Sequence, residues 1–224
     1  MPPIPHEARA AAAAPRLAGP ADRAALARLL AAAFATDPVM DWWVRDGAAR
    51  AQALHGFYDA ELAEVLPLGA SFMAEDASAC AVWLPPDAAV RHYPFWRKLM
   101  MVPRYLRFCG VARARRLIAL GDMMERNHPP APPHWYLYFL AVDPALKGRG
   151  LGSAILAATL ARVDADGLPA YLENSSPANL RLYERHGFRL VKQDRPLPGA
   201  PCQWTMWRGP APKESTPVGS FGAA

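Results

Sequence analysis

WYLYFLAVDPALKGRGLGSAIL, residues 135–156, sets two opposed patterns back to back. Its first eight residues, aromatic and aliphatic throughout, form the strongest strand signal in the chain. Three glycines at alternate positions, 148, 150 and 152, then lead into apolar residues at helical spacing. A turn alone needs one glycine. Three imply that something approaches the main chain closely, because a residue without Cβ opens both unusual dihedrals and physical access.

Outward from this strand, turn and helix, the pattern continues in both directions. Downstream, the helix should run to about Ala165, followed by the strand PAYLE, a helix through Tyr183, the strand GFRLV and a last strand, CQWTMW. Upstream, PRLAG is a short strand, and PADRAALARLLAAAF places Leu26, Leu29, Leu30, Ala33 and Phe34 on one helical face, with Asp22 beside Pro20 at its start. Asp37-Pro38 breaks that helix. Residues 47–66 predict a second one, and SFMAED with SACAVWL predicts two strands joined by a tight turn. Residues 91–127 read as helical but broken by Pro94, Pro103 and Gly110, and the prolines of NHPPAPP end that region.

This order describes an α/β (α+β) chain with a mixed sheet and helices packed on it. Residues 1–14 and 209–224 carry no periodicity and are expected to be unstructured. A single domain is therefore expected over 15–208, with a helical insertion at 91–130. No internal repeat is present.

Composition narrows the chemistry. The chain has 224 residues, 52% of them hydrophobic, enough for one domain with a sizeable core. A formal charge of +5 and a pI of about 9.3 favour an anionic partner, and fit a phosphate-bearing cofactor as well as a nucleic acid. Cys80, Cys109 and Cys202 lie far apart with no CxxC, so neither a disulfide framework nor a zinc knuckle is readable, and a reducing cytoplasm is the default. The alanine-rich start is interrupted by Pro15, Arg16, Asp22, Arg23 and Arg28, unlike a signal segment. No uncharged apolar run approaches the roughly 18 residues that span a bilayer. A soluble, unexported protein with no membrane partner is expected. The six histidines show neither HExxH nor another ligand spacing, so no metal is expected.

Several readings compete for KGRGLGS. It can be a plain structural loop entering a helix. A phosphate-loop NTPase is excluded, since no GxxxxGK[ST] occurs. A dinucleotide site would use Glu173 at the end of the next strand, but Ser153 stands where Gly or Ala is wanted, and DPALK separates the strand from the first glycine. The remaining reading is an anion held by successive backbone N–H groups at a helix N-terminus, flanked by Lys147 and Arg149, which suits a pyrophosphate.

AVDPALKGRGLGSAIL resembles the signature of the GNAT superfamily of N-acyltransferases, in which a strand ending V-x-P leads to [QR]-x-x-G-x-[GA] and a helix. Val142, Pro144, Gly150 and Gly152 fit, while Lys147 stands where the family usually has Gln or Arg. LENSSPANLRLYERHGF is similar to the family's later stretch, where an Asn and a Tyr on a helix precede a Gly-Phe strand start. The element order agrees from residue 16 to residue 207. Within the superfamily, HWYLYFLAV, LENSSPANLRLYERHGF and the upstream AVWLPP look most like the branch of puromycin N-acetyltransferase and its relatives, which suggests modification of an aminonucleoside antibiotic or a similar bulky amine. The implied fold is a mostly antiparallel mixed sheet with helices on both faces and the glycine turn after the fourth strand.

The resemblance implies acetyl-coenzyme A as donor, a small-molecule primary amine as acceptor, and direct transfer through a tetrahedral intermediate, without metal, in a monomer or homodimer. The main chain of Leu140, Ala141 and Val142 would pair with the pantetheine arm like an added strand. Lys147, Gly148, Arg149, Gly150, Leu151, Gly152 and Ser153 would take the pyrophosphate, and Asn179 would bond the pantetheine. Tyr183 would be the general acid, since a phenol of pKa about 10 stays protonated at neutral pH. Glu173 is a candidate base, with His134, Asp37, Asp41 and a water chain left open. Trp42, Trp43 and Tyr138 are expected to contact the acceptor, and Trp83, Tyr93, Phe95 and Trp96 are further aromatic candidates, at least half of the set being expected in the core. The basic runs RYLRF and ARARR suggest a nucleic-acid surface only as a rival reading. A coenzyme-binding relative without catalysis is the other.

Overall fold

Seven segments of strand preference gather into one sheet, and its order brings the glycine turn to the middle of the molecule. The structure, a computed structural model, describes residues 5–88 and 95–211. The strands are β1 (Arg16–Leu17), β2 (Ser71–Met73), β3 (Ala79–Leu84), β4 (Trp135–Val142), β5 (Ala170–Asn174), β6 (Arg189–Asp194) and β7 (Gln203–Arg208). They lie in the order β1-β2-β3-β4-β5-β7-β6. Every neighbouring pair is antiparallel except β4 and β5. A doubly wound dinucleotide fold needs a mostly parallel sheet, so that reading falls here.

Both faces are covered. In β3, Cys80, Val82 and Leu84 face one core, and Ala79, Ala81 and Trp83 face the other, as the two-residue period of a strand requires. The first core is closed by α2 (Arg23–Ala33) and α4 (Arg50–Val65), together with residues of α5 (Phe95–Cys109) and α6 (Ala114–Asn127). The second is closed by α7 (Leu151–Ala165) and α1 (Pro5–Ala13). Two short helices, α3 (Pro38–Trp43) and α8 (Leu180–Arg185), lead the chain past the sheet's centre.

Two expectations are corrected. Residues 5–13 are helical rather than unstructured: alanine has the highest helix propensity, and Ala8 and Ala12, four apart and both fully buried, lay a small-residue face on α7. Residues 212–224 lie outside the described residues. Pro103 does not break α5, which runs through it, while Gly110, with φ +69°, does end that helix. Asp37-Pro38 stops one helix and starts another. Pro38 sits in the first turn of α3, where its missing N–H costs nothing, and the Asp37 carboxylate accepts from the Val39 and Met40 amides at 2.9 and 3.1 Å. Three arginines of RYLRF and ARARR bond other parts of the chain. Arg104 pairs with Glu64, Arg113 with Asp46, and Arg116 donates to the Trp42 carbonyl.

Candidate active site

The sheet opens at its one parallel pair. β4 and β5 are in register only from Trp135↔Ala170 to Leu137↔Leu172. Past that point β5 leans on β7, with Glu173 opposite Thr205 and Asn174 opposite Trp204, while β4 continues to Val142 paired only with β3. The β5-facing main chain of Leu140, Ala141 and Val142 therefore borders a gap. A bulge in β4 shapes it further: Val82 faces Phe139 and Trp83 faces Leu137, leaving Tyr138 without a β3 partner. Tyr138 and Phe139 consequently project into the same core, their ring centroids 4.2 Å apart.

A cavity of about 300 Å³ fills the gap, bounded by residues 136–140 of β4, by Leu172, Glu173 and Asn174 of β5, and by Asp37, Asn179 and Tyr183. Asn174 sets the loop that follows β5, accepting from the Ser176 amide and donating to the Ser176 carbonyl. That loop starts α8, and Gly187, with φ +85°, ends it, so Tyr183 is held inward with 8% of its surface exposed. Burial first, then the nearby Asp37 carboxylate, raises the Tyr183 phenol far above its ordinary value. Asp37 is itself raised by burial, against hydrogen bonds from Ser175 and the α3 amides.

Glu173 joins this cavity to a second one. The Tyr136 hydroxyl donates to Glu173 Oε2 at 2.5 Å and the Tyr171 hydroxyl to Oε1 at 3.0 Å. Burial nevertheless wins over these two bonds and pushes the carboxyl up to about 7. Glu173 also lines a larger cavity of about 700 Å³, walled by α5 and α6 and reaching Glu61 of α4. The 91–130 insertion supplies that wall. Tyr138 and Tyr105 lie in both cavities.

At the far end of β4, Asp143 bonds the Ala145 amide, and the chain turns through Gly148 and Gly150 at φ +81° and +85° into α7. No side chain among the described residues caps this helix, so its first-turn N–H groups are presented at the turn. A Cβ on Gly148 would meet open space within 4 Å, and one on Gly152 would touch Val142 and Leu182 at 3.5 and 3.8 Å. Lys147, Gly148, Arg149 and Gly150 are exposed, whereas the Ser153 hydroxyl contacts His186 Nε2 at 2.8 Å. A Cβ on Gly150 would also lie 3.6 Å from Arg9 Nε of α1. Sequence reasoning missed this third cation because α1 was read as unstructured. A turn so open, amide-rich and basic fits a diphosphate.

The other sequence candidates divide. Trp43 is 1% exposed, lines the smaller cavity, and its indole N–H finds no partner among the described residues. Trp42 lines neither of these cavities; its ring takes the Arg116 guanidinium at 5.7 Å. Trp83 is fully buried in the opposite core. Tyr93 and the side chains of Phe95 and Trp96 lie outside the described residues. Asp41 is ion-paired with Arg50. His134 is buried, with Nδ1 on the Pro132 carbonyl and Nε2 on His128, and burial lowers its pKa. Neither Asp41 nor His134 borders the two cavities. Glu61, Tyr105, Tyr136 and Tyr171 were not singled out from the sequence. Among the described residues no group of three or more His, Cys, Asp or Glu is placed to hold a metal, and no helix is long and apolar enough to cross a membrane.

A sheet opened beside a glycine turn, with a carboxylate and a phenol on the opening, defines the class: the chain belongs to the acetyltransferase (GNAT) family, whose profile matches residues 71–188. Among curated proteins it is similar to a mycothiol acetyltransferase of Mycobacteroides abscessus, 33% identical over 115 residues, which are 50% of this chain and 37% of that protein. The match thus spans little more than a third of that relative's length. Among solved structures it resembles a histone acetyltransferase HPA2 and related acetyltransferase from Corynebacterium glutamicum, 27% identical with a TM-score of 0.67 over 90% of this chain and 98% of that one. The polyamine N-acetyltransferase of Drosophila melanogaster, 19% identical with a TM-score of 0.58 over 87% and 98% of the two chains, shares the fold.

Proposed function

We propose that this chain transfers an acetyl group from acetyl-coenzyme A to a primary amine of a small molecule. The observation that carries the reading is the β4–β5 gap, where Glu173, raised to about 7, and the protonated Tyr183 border one cavity. The thioester supplies an activated acyl carbon. The chain's own residues do the rest.

The amides of Gly148 and of Gly150 to Ser153, with Lys147 and Arg149 beside them, hold the diphosphate. The open edge of Leu140, Ala141 and Val142 pairs with the pantetheine arm in place of the missing β5 partner, and a β4 amide offers a donor to the carbonyl oxygen. Asn179, one helical turn before Tyr183, bonds the same arm. Glu173 accepts the proton an ammonium must lose before it can attack, and a carboxyl poised near neutrality suits that work. Tyr183 returns a proton to the departing sulfur. Trp43 and Tyr138 border the acceptor's path, and the larger cavity leaves room for a bulky amine such as an aminonucleoside. The reading is for a monomer or a homodimer. Three free, buried thiols suit a reducing cytoplasm.

The test is thiol release from acetyl-coenzyme A with a panel of puromycin, other aminonucleosides, polyamines and peptide N-termini, beside calorimetric titration of coenzyme A. Binding of coenzyme A with amine-dependent thiol release supports the proposal. No heat with coenzyme A would sink it.

A further inference from the structure

We infer that Glu61 is a second cation subsite, so that the acceptor carries two positive centres: one amine presented to Glu173, and an ammonium or guanidinium held by Glu61. This rests on the acyl-transfer reading of the gap and names the substrate class for it.

The first observation is a charge where the fold calls for none. The buried stripe of α4 runs Leu54, Phe57, Tyr58, Glu61, Leu62 and Val65. Glu61 occupies a core position of that stripe and is 4% exposed. Burying a carboxylate is costly unless it is paired, and an apolar residue would fill the position at lower cost. Its partners in the structure are two neutral phenols: Tyr105 donates to Oε1 at 2.8 Å and Tyr138 to Oε2 at 2.7 Å. Both oxygens therefore act as acceptors, and a carboxylate offers about four lone-pair sites. Two remain for a ligand.

The second observation is space. Glu61 lines the 700 Å³ cavity together with Tyr105, Tyr138, Asp122 and Glu173. A cation entering it meets the Glu61 carboxylate beside aromatic ring surface. The third is spacing. Tyr138 holds Glu61 and Tyr136 holds Glu173, and these two rings lie 5.5 Å apart by their centroids. The two carboxylates are thus held by neighbouring phenols of one strand and open on one cavity.

The experiment is calorimetric titration of the full chain with putrescine and with n-butylamine, which differ by one ammonium, on wild type and Glu61→Gln. One charge-assisted contact predicts that wild type binds putrescine about ten- to a hundredfold more tightly, and that Glu61→Gln brings the two amines to similar affinity. Equal affinities on wild type overturn the inference. So does an equal loss for both amines in Glu61→Gln, the result of a carboxylate that only fixes its tyrosines. Should Glu61→Gln fail to fold, as judged by its melting and coenzyme A affinity, the wild-type comparison decides. Thiol release measured in parallel separates the two readings. Turnover of n-butylamine with no preference for putrescine removes the second subsite and leaves acyl transfer standing; tight putrescine binding with no turnover of any amine does the reverse.

Discussion

Removing the Tyr136 hydroxyl should move the pH at which this chain becomes active. In the folded protein the Glu173 carboxyl is pushed by burial from 4.5 to about 7, and the Tyr136 and Tyr171 hydroxyls pull in the opposite direction by stabilising the ionised form. If Glu173 is the base, kcat/KM should rise with pH through an apparent pKa of about 7 and then level off. The Tyr183 phenol, raised far above neutrality, gives no falling limb until strongly alkaline pH. A hydrogen bond to a charged group is worth about 1.5–3 kcal/mol, and one pKa unit is about 1.4 kcal/mol, so Tyr136→Phe should carry the rising limb upward by roughly one pH unit or more. Tyr171→Phe, losing the longer bond, should shift it less. Glu173→Gln should abolish the limb and lower kcat/KM by about 10²–10⁴. The assay is thiol release at saturating acetyl-coenzyme A across pH 5–9. A limb that stays in place in Tyr136→Phe, or survives in Glu173→Gln, refutes the assignment of the base.

Tyr183→Phe should lower kcat by about 10²–10⁴ while leaving coenzyme A affinity within a few-fold by calorimetry; a loss confined to affinity would make the phenol a binding group. Gly152→Ala should keep coenzyme A binding, because its Cβ finds ordinary contacts at 3.5 Å, whereas Gly152→Leu should abolish it with the melting temperature less affected. Arg9→Ala should weaken coenzyme A binding about tenfold, an effect that fades at high salt, since its guanidinium stands beside the turn at Gly150. The Glu173 carboxyl also couples pH to stability. Its folded pKa lies above the unfolded value, so its contribution is complete below about pH 4.5 and is lost as pH rises through 7. Glu173→Gln should therefore melt above wild type at pH 8, by on the order of 3 kcal/mol, and near it at pH 4.

Much of this fold is local and was readable along the chain. The glycine turn, the β4 strand, the Asn179–Tyr183 helix and the Gly187-Phe188 restart follow from spacing and backbone freedom, which are properties of neighbouring residues. Where reading failed, the deciding interaction lay elsewhere. α1 is a helix because α7 offers a groove for Ala8 and Ala12, and a run of alanines does not announce its partner. Pro103 sits inside α5 although its residue type predicts a break there. Trp42 and Trp43 are adjacent in sequence, yet helical rotation sends one to a cavity and the other beneath Arg116.

Sequence alone determined the class of sheet and the place of the glycine turn, because strand period and positive-φ glycines are written residue by residue. Only the tertiary structure decided which groups share the cavities. Glu61, Tyr105, Tyr136, Tyr138 and Glu173 come from four separate elements, and they meet because β4 bulges and parts from β5 while the inserted helices close over the opening. The Glu173 carboxyl is poised near neutrality for the same reason: burial, the cause of its raised pKa, is a property of the assembled fold that a glutamate at the end of a strand does not carry by itself.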